Sequence, residues 1–141
     1  MFKKWFINFT VAGIVVLSSC SKSVKDYQSK DILPDIFPDY TSLTIPSNIA
    51  PLNFNINEAG TDFAVEIYSD NGNRIKLRQS SPKISIPIEK WHKLLDANKG
   101  NTLKTDVYVK NKEWTKYKTI IDTIANETID NNLVYRSIGM V

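Results

Sequence analysis

Residues 63–78 read FAVEIYSDNGNRIKLR, and the fold class turns on them. Phe63, Val65 and Ile67 fall on one side of an extended chain, the period-two pattern of a half-buried strand. Asp70-Asn71-Gly72-Asn73 follows, a turn signal because asparagine and glycine tolerate positive φ. Arg74-Ile75-Lys76-Leu77-Arg78 alternates again, so the stretch predicts a β-hairpin.

Working outward, residues 53–57 (NFNIN) alternate in the same way, and so do residues 83–88 (KISIPI), where Pro87 marks a strand end or edge. Residues 102–109 predict a strand anchored by Leu103, Val107 and Tyr108. A turn at Asn111-Lys112-Glu113 leads to a partner strand over 114–121. Residues 120–129 mix helical and extended signals; their β-branched content favours strand and loop. Residues 133–138 predict a closing strand. One helix is predicted, over 89–98, with Ile88, Trp91, Leu94 and Leu95 on one face, Glu89 in the first turn and Gly100 as the stop. No internal repeat is visible. Six or seven short strands and one helix predict an immunoglobulin-like β-sandwich.

The amino terminus carries a different message. Lys3 and Lys4 precede a thirteen-residue apolar run over 5–17, well short of the roughly 20 residues a helix needs to span a bilayer. That order is a secretory signal. Leu17-Ser18-Ser19-Cys20 resembles the lipobox of bacterial lipoproteins, which implies cleavage before Cys20 and acylation of that residue. Stable anchoring needs about two acyl chains, and the lipoprotein modification supplies more. Ser21 is not the aspartate that retains such proteins in the inner membrane, so the resemblance implies the outer membrane, on its periplasmic or its surface face. The expected organisation is a signal peptide over 1–19, a lipid-anchored tether over 20–44 that is flexible near the lipid and progressively docked after about Pro34, and a β-sandwich domain over 45–141. Prolines at 34 and 38 bias the tether towards extended geometry.

Composition narrows the chemistry. Cys20 is the single cysteine, so no intramolecular disulfide can staple the domain. Without residues 1–19, 16 basic residues stand against 15 acidic ones. That near balance, with the compartment, argues against nucleic acid as a partner. His92 is the single histidine and is expected off the buried face of the helix, in a structural or solvated role. No nucleophile elbow, zinc-protease helix, phosphate loop or dinucleotide fingerprint is present. Asp31, Asp35 and Asp39 are separated by prolines and aromatics rather than by the glycine and spaced oxygens of a calcium loop. The reading is therefore non-enzymatic, with no metal and no cofactor. Trp114, Tyr117 and Tyr108 are the candidate binding residues: aromatics can stack on sugar rings, although in strands they more often serve as core or cross-strand pairs.

Three motifs carry a resemblance across most of the chain. They are Asp39-Tyr40 with IPSNIAPLNF over 45–54, Lys90-Trp91 through Leu94-Leu95 with Lys99-Gly100, and Ile129-Asp130 with Tyr135-Arg136-Ser137-Ile138. Together they resemble the amino-terminal domain of Bacteroidota lipoproteins with TolB-like β-propellers, some of which carry the label cytochrome c biogenesis protein. No haem attachment motif is present. In that family a long propeller follows the third motif, whereas this chain stops at Val141. The resemblance thus implies the amino-terminal domain alone, as a protein-interaction module or as a fragment of a longer protein. A surface glycan-binding module is the competing expectation.

Overall fold

The computed structural model describes residues 23–130. The expected signal peptide over 1–19, Cys20 and the expected strand over 133–138 lie outside the described residues.

The hairpin forms as the alternation requires. β5 (Asp62–Tyr68) pairs antiparallel with β6 (Ile75–Gln79) from Phe63↔Gln79 to Ile67↔Ile75. Gly72 takes a φ of 83° at the turn. The turn is then locked from outside by Asn98, whose side chain is fully buried. Its Oδ1 accepts the Asn71 N–H at 2.8 Å, and its Nδ2 donates to the Asn71 carbonyl at 2.7 Å and the Leu94 carbonyl at 2.8 Å. One amide thus mimics a strand neighbour for the turn while satisfying an orphan carbonyl at a helix end.

β8 (Thr102–Lys110) is the axis of the larger sheet. One edge pairs with β5 along its whole length, from Asp62↔Lys110 to Tyr68↔Lys104. The other edge is shared: its carboxyl half pairs with β9 (Trp114–Lys116) and its amino half with β10 (Ile120–Ile124). Residues 117–119 interrupt what is otherwise one strand, with the Tyr117 N–H still bonded to the Val107 carbonyl at 3.0 Å. The partner strand expected over 114–121 is thus real but broken, and the ambiguous stretch resolves as strand up to Ile124.

The segment expected as a tether is, from residue 28, part of the sheets. β1 (Gln28–Ser29) lies parallel to β9, and β3 (Thr44–Ile45) lies parallel to β10. β2 (Ile36–Phe37) joins β4 (Phe54–Ile56) and β7 (Lys83–Ile84) in a second, three-stranded antiparallel sheet. Ile36 is 6% and Ile45 2% exposed, so both are core residues. The extended geometry that prolines impose suits an edge strand as well as a linker, and local sequence does not separate the two.

The two sheets face each other as a β-sandwich. Phe54, Ile56 and Ile84 from one sheet meet Val65, Ile67, Leu103 and Val107 from the other in a single buried cluster. Burying each such side chain contributes about 1.5–3 kcal/mol relative to exposure. Helix α1 (Ile88–Asp96) adds Trp91, Leu94 and Leu95 to that cluster. Ile88, expected on the same face, is 55% exposed, because the apolar stripe meets the core only from Trp91 onward. No helix among the described residues is long and apolar enough to cross a membrane.

IPSNIAPLNF crosses from one sheet to the other, starting in β3 and ending in β4. The Ile49 carbonyl accepts the Trp91 indole N–H at 3.0 Å, and the Asn53 side chain accepts the Ile86 N–H at 2.8 Å. Asn48 exchanges two hydrogen bonds with the Ile129 backbone, at 2.9 and 2.8 Å. Residues from all three resemblance motifs therefore meet at this crossover.

Candidate functional site

Because β8 alternates, Leu103, Thr105, Val107 and Val109 point between the sheets while Lys104, Asp106 and Tyr108 point outward. Register sets their neighbours. Glu66 of β5 stands between Lys76 of β6 and Asp106, and Tyr108 stands between Ala64 of β5 and Lys116 of β9. The result is an outer face that is polar in composition yet largely shielded from water: Glu66 is 8%, Asp106 3% and Tyr108 5% exposed.

Part of the shielding comes from residues 23–27. Lys76 donates to the Ser23 hydroxyl, and the Tyr27 ring sits edge-on to Tyr108, centroids 5.3 Å apart at 72°. The chain thus crosses the outer face from β6 to β8 before it enters β1.

Asp106 is the hub. One oxygen accepts the Thr119 hydroxyl at 2.6 Å; the other accepts the Tyr68 hydroxyl at 3.3 Å and forms an ion pair with Lys116 at 2.9 Å. Burial pulls the Lys116 ammonium down, but hydrogen bonding and charge attraction to Asp106 outweigh it and leave the lysine above its ordinary value. Burial, then the Asp106 charge, push Tyr68 and Tyr108 up. Glu66 takes Arg74 at 3.5 Å, and that guanidinium stacks 3.9 Å from the Tyr68 ring centroid. Asp106, Lys116, Glu66 and Arg74 thus each have a charged or hydrogen-bonding neighbour on this face, forming one connected polar network.

At the carboxyl end of β8 the face opens into a groove of about 440 Å³ between Tyr27 and Trp114, rimmed by Asp26, Gln28, Lys112 and Glu113. Tyr27 is 42% exposed and Trp114 half-buried. The Gln28 amide donates to Glu113 at 2.8 Å, and the Arg78 guanidinium lies 5.0 Å from the Trp114 ring centroid.

The structure brings Trp114 and Tyr108 to the same face but not Tyr117. That residue, 7% exposed, belongs to the core cluster; its hydroxyl donates to Glu58 at 2.8 Å, and Lys30 lies 5.2 Å from its ring centroid. Burial and the Glu58 bond push its phenol up to about 12. Three residues on from Trp114, Tyr117 falls on the opposite face by simple alternation, and its N–H bond to the Val107 carbonyl holds it beside that inward residue. Tyr108 lies under Tyr27 and offers little free surface, which leaves Trp114 as the accessible member of the expected trio.

His92 places Nε2 3.3 Å from the Ile49 carbonyl oxygen, a structural contact. Asp31, Asp35 and Asp39 each have a different partner, in Lys118, Asn57 and Thr41. Among the described residues no group of three histidine, cysteine or acidic side chains is placed to share a metal ion. Tyr27, Glu66, Asp106 and Lys116 are not among the residues that sequence pattern marks for binding. The alternation of β8 could have singled out Asp106 as facing away from Val107, but what lies over it depends on a segment distant in the chain. No family model, curated protein or solved structure matches this chain.

Proposed function

We propose that this chain is a lipid-anchored envelope protein, acylated at Cys20, whose β-sandwich acts as a non-enzymatic module for docking a protein partner. The observation that carries the docking reading is the Tyr27–Trp114 groove. Two aromatics of the kind that dominate binding energy stand at its centre, and charged side chains form its rim. The committed charges of the neighbouring face support binding rather than catalysis. The order of strands, with β2, β4 and β7 in one sheet and β5, β6, β8 and the β9–β10 pair in the other, supports an immunoglobulin-like arrangement. Convergence of the three motifs on the sheet crossover supports the resemblance to the amino-terminal domain of TolB-like propeller lipoproteins, and makes those motifs architectural.

Radiolabelled palmitate is expected to label the protein, and Cys20→Ala to abolish both labelling and membrane fractionation; an unlabelled wild type refutes the anchor. A photo-crosslinker at Lys112 is expected to capture a defined envelope protein, with capture lost in Trp114→Ala. The same groove favours one second reading. The half-exposed Trp114 ring beside the preset Gln28–Glu113 pair suits a sugar, with a stacking surface and hydroxyl partners together. Glycan-array binding that Trp114→Ala abolishes, without protein capture, selects that reading instead.

A further inference from the structure

The chain is attached to the sandwich almost immediately after Cys20. Ser23, only three residues later, already accepts a hydrogen bond from Lys76 on β6. A fully extended chain advances about 3.3–3.6 Å per residue, so three residues reach at most about 11 Å. Strands within a sheet lie about 4.8 Å apart and stacked sheets about 10 Å apart. A lipid on Cys20 therefore starts within about 11 Å of Ser23, beside β6, whereas Phe37 is exposed on an edge strand of the other sheet.

β6 is an edge strand, pairing with β5 alone. It carries Lys76 and Arg78 towards the outer face, with Arg74 just before it. The adjoining groove between the hairpin turn and α1 is lined by Arg74, Lys90 and Lys93. The acidic groups nearest β6 are occupied, Glu66 by Arg74 and Asp70 by Lys104. Among the described residues Lys76, Arg78, Lys90 and Lys93 form no ion pair.

We infer that the β6 edge, with the adjoining face of α1, is a membrane-contact surface that rests on anionic phospholipid headgroups of the membrane holding the lipid anchor. This rests on the acylation of Cys20 proposed above. The short reach places the cationic edge at the bilayer. Basic side chains near an anionic surface are attracted within a Debye length of it. The contact would hold the domain in one orientation and leave the small sheet directed away from the bilayer.

The test uses the full lipidated chain, purified from membranes and reconstituted in vesicles of phosphatidylcholine with phosphatidylglycerol. Mass spectrometry first establishes the acyl groups on Cys20; their absence refutes the anchor and with it this inference. With acylation established, nitroxide labels are placed singly in Asn73→Cys and Ser80→Cys, flanking β6, and in Phe37→Cys on the small sheet. A nickel-chelating lipid in the vesicle surface is expected to relax the first two labels several-fold more than the third. High salt, or the combined Lys76→Gln, Arg78→Gln and Lys90→Gln substitutions, is expected to shrink that difference. Equal relaxation at all three labels in an acylated protein overturns the inference and leaves the anchor standing. Two labels on β6 guard against one that disturbs folding, which circular dichroism reports.

Discussion

Asp106 on β8 and Asp122 on β10 are nearly equally sealed from solvent, at 3% and 4% exposure, yet they face opposite sides of one sheet. Asp106 looks outward and has a hydroxyl, a phenol and an ammonium around it. Asp122 looks inward between Ile120 and Ile124, lining a cavity of about 20 Å³ with Phe54, Ile67 and Trp91. That volume has room for about one water molecule. Among the described residues its one hydrogen bond comes from the Leu43 N–H at 2.8 Å. Burial pushes its carboxyl up, and the Leu43 bond only partly opposes this. Burial alone therefore does not decide what a buried carboxylate contributes; the number of partners that meet it does.

The largest effect is expected from Asp106→Ala. It leaves Lys116, Tyr68 and Thr119 without their shared acceptor, and breaking a buried ion pair in this way costs about 3–5 kcal/mol. Urea unfolding measures it, and a loss below about 1 kcal/mol would reduce Asp106 to the level of a surface pair.

Alkali acts on the same network. Tyr68, Tyr108 and Tyr117 are raised above their ordinary value of 10.0, and Lys116 above 10.5. The folded state thus holds these protons more tightly than the unfolded state does, and stability is expected to fall as pH rises above about 10. Tyrosinate absorbance should appear together with unfolding; tyrosines that titrate freely in the folded protein would refute it.

Asp122→Asn is expected to be smaller and opposite in sign. The amide keeps an acceptor for the Leu43 N–H and removes a buried charge, so the melting temperature at neutral pH rises. The folded carboxyl titrates above its ordinary 3.8. Wild-type stability is therefore lost relative to the variant as pH climbs from 3.8 through the folded value, and the difference is constant beyond. A variant that loses as much as Asp106→Ala would erase the contrast between the two sites.

The smallest effect concerns Ser47, fully buried at the sheet crossover with a hydroxyl that has no partner among the described residues. Ser47→Ala removes an unsatisfied group and is expected to stabilise by about 1 kcal/mol. A loss on chemical denaturation would place a partner at that hydroxyl.

Legibility followed the range of the interactions. The hairpin of residues 63–78 was readable because its alternation and its Asn-Gly turn are local. The helix was readable from the spacing of Trp91, Leu94 and Leu95, and the sandwich from the count of short strands. For residues 28–44 docking after about Pro34 was readable but strand pairing was not, because Ile36 and its neighbours become sheet only when β4, β9 and β10, distant in the chain, lie beside them. The groove was half legible: Trp114 could be singled out by type, whereas its companion Tyr27 sat in a stretch that looked like linker.

Residue type and short spacing were enough for the hairpin, the helix, the mainly-β class and, with a single cysteine, the lack of an intramolecular disulfide. Pairing between segments distant in the chain made strands within residues 28–45 and gave two similar aspartates opposite environments. Each of those outcomes depends on which distant strand lies alongside, and a period of two residues specifies a face without naming what will cover it.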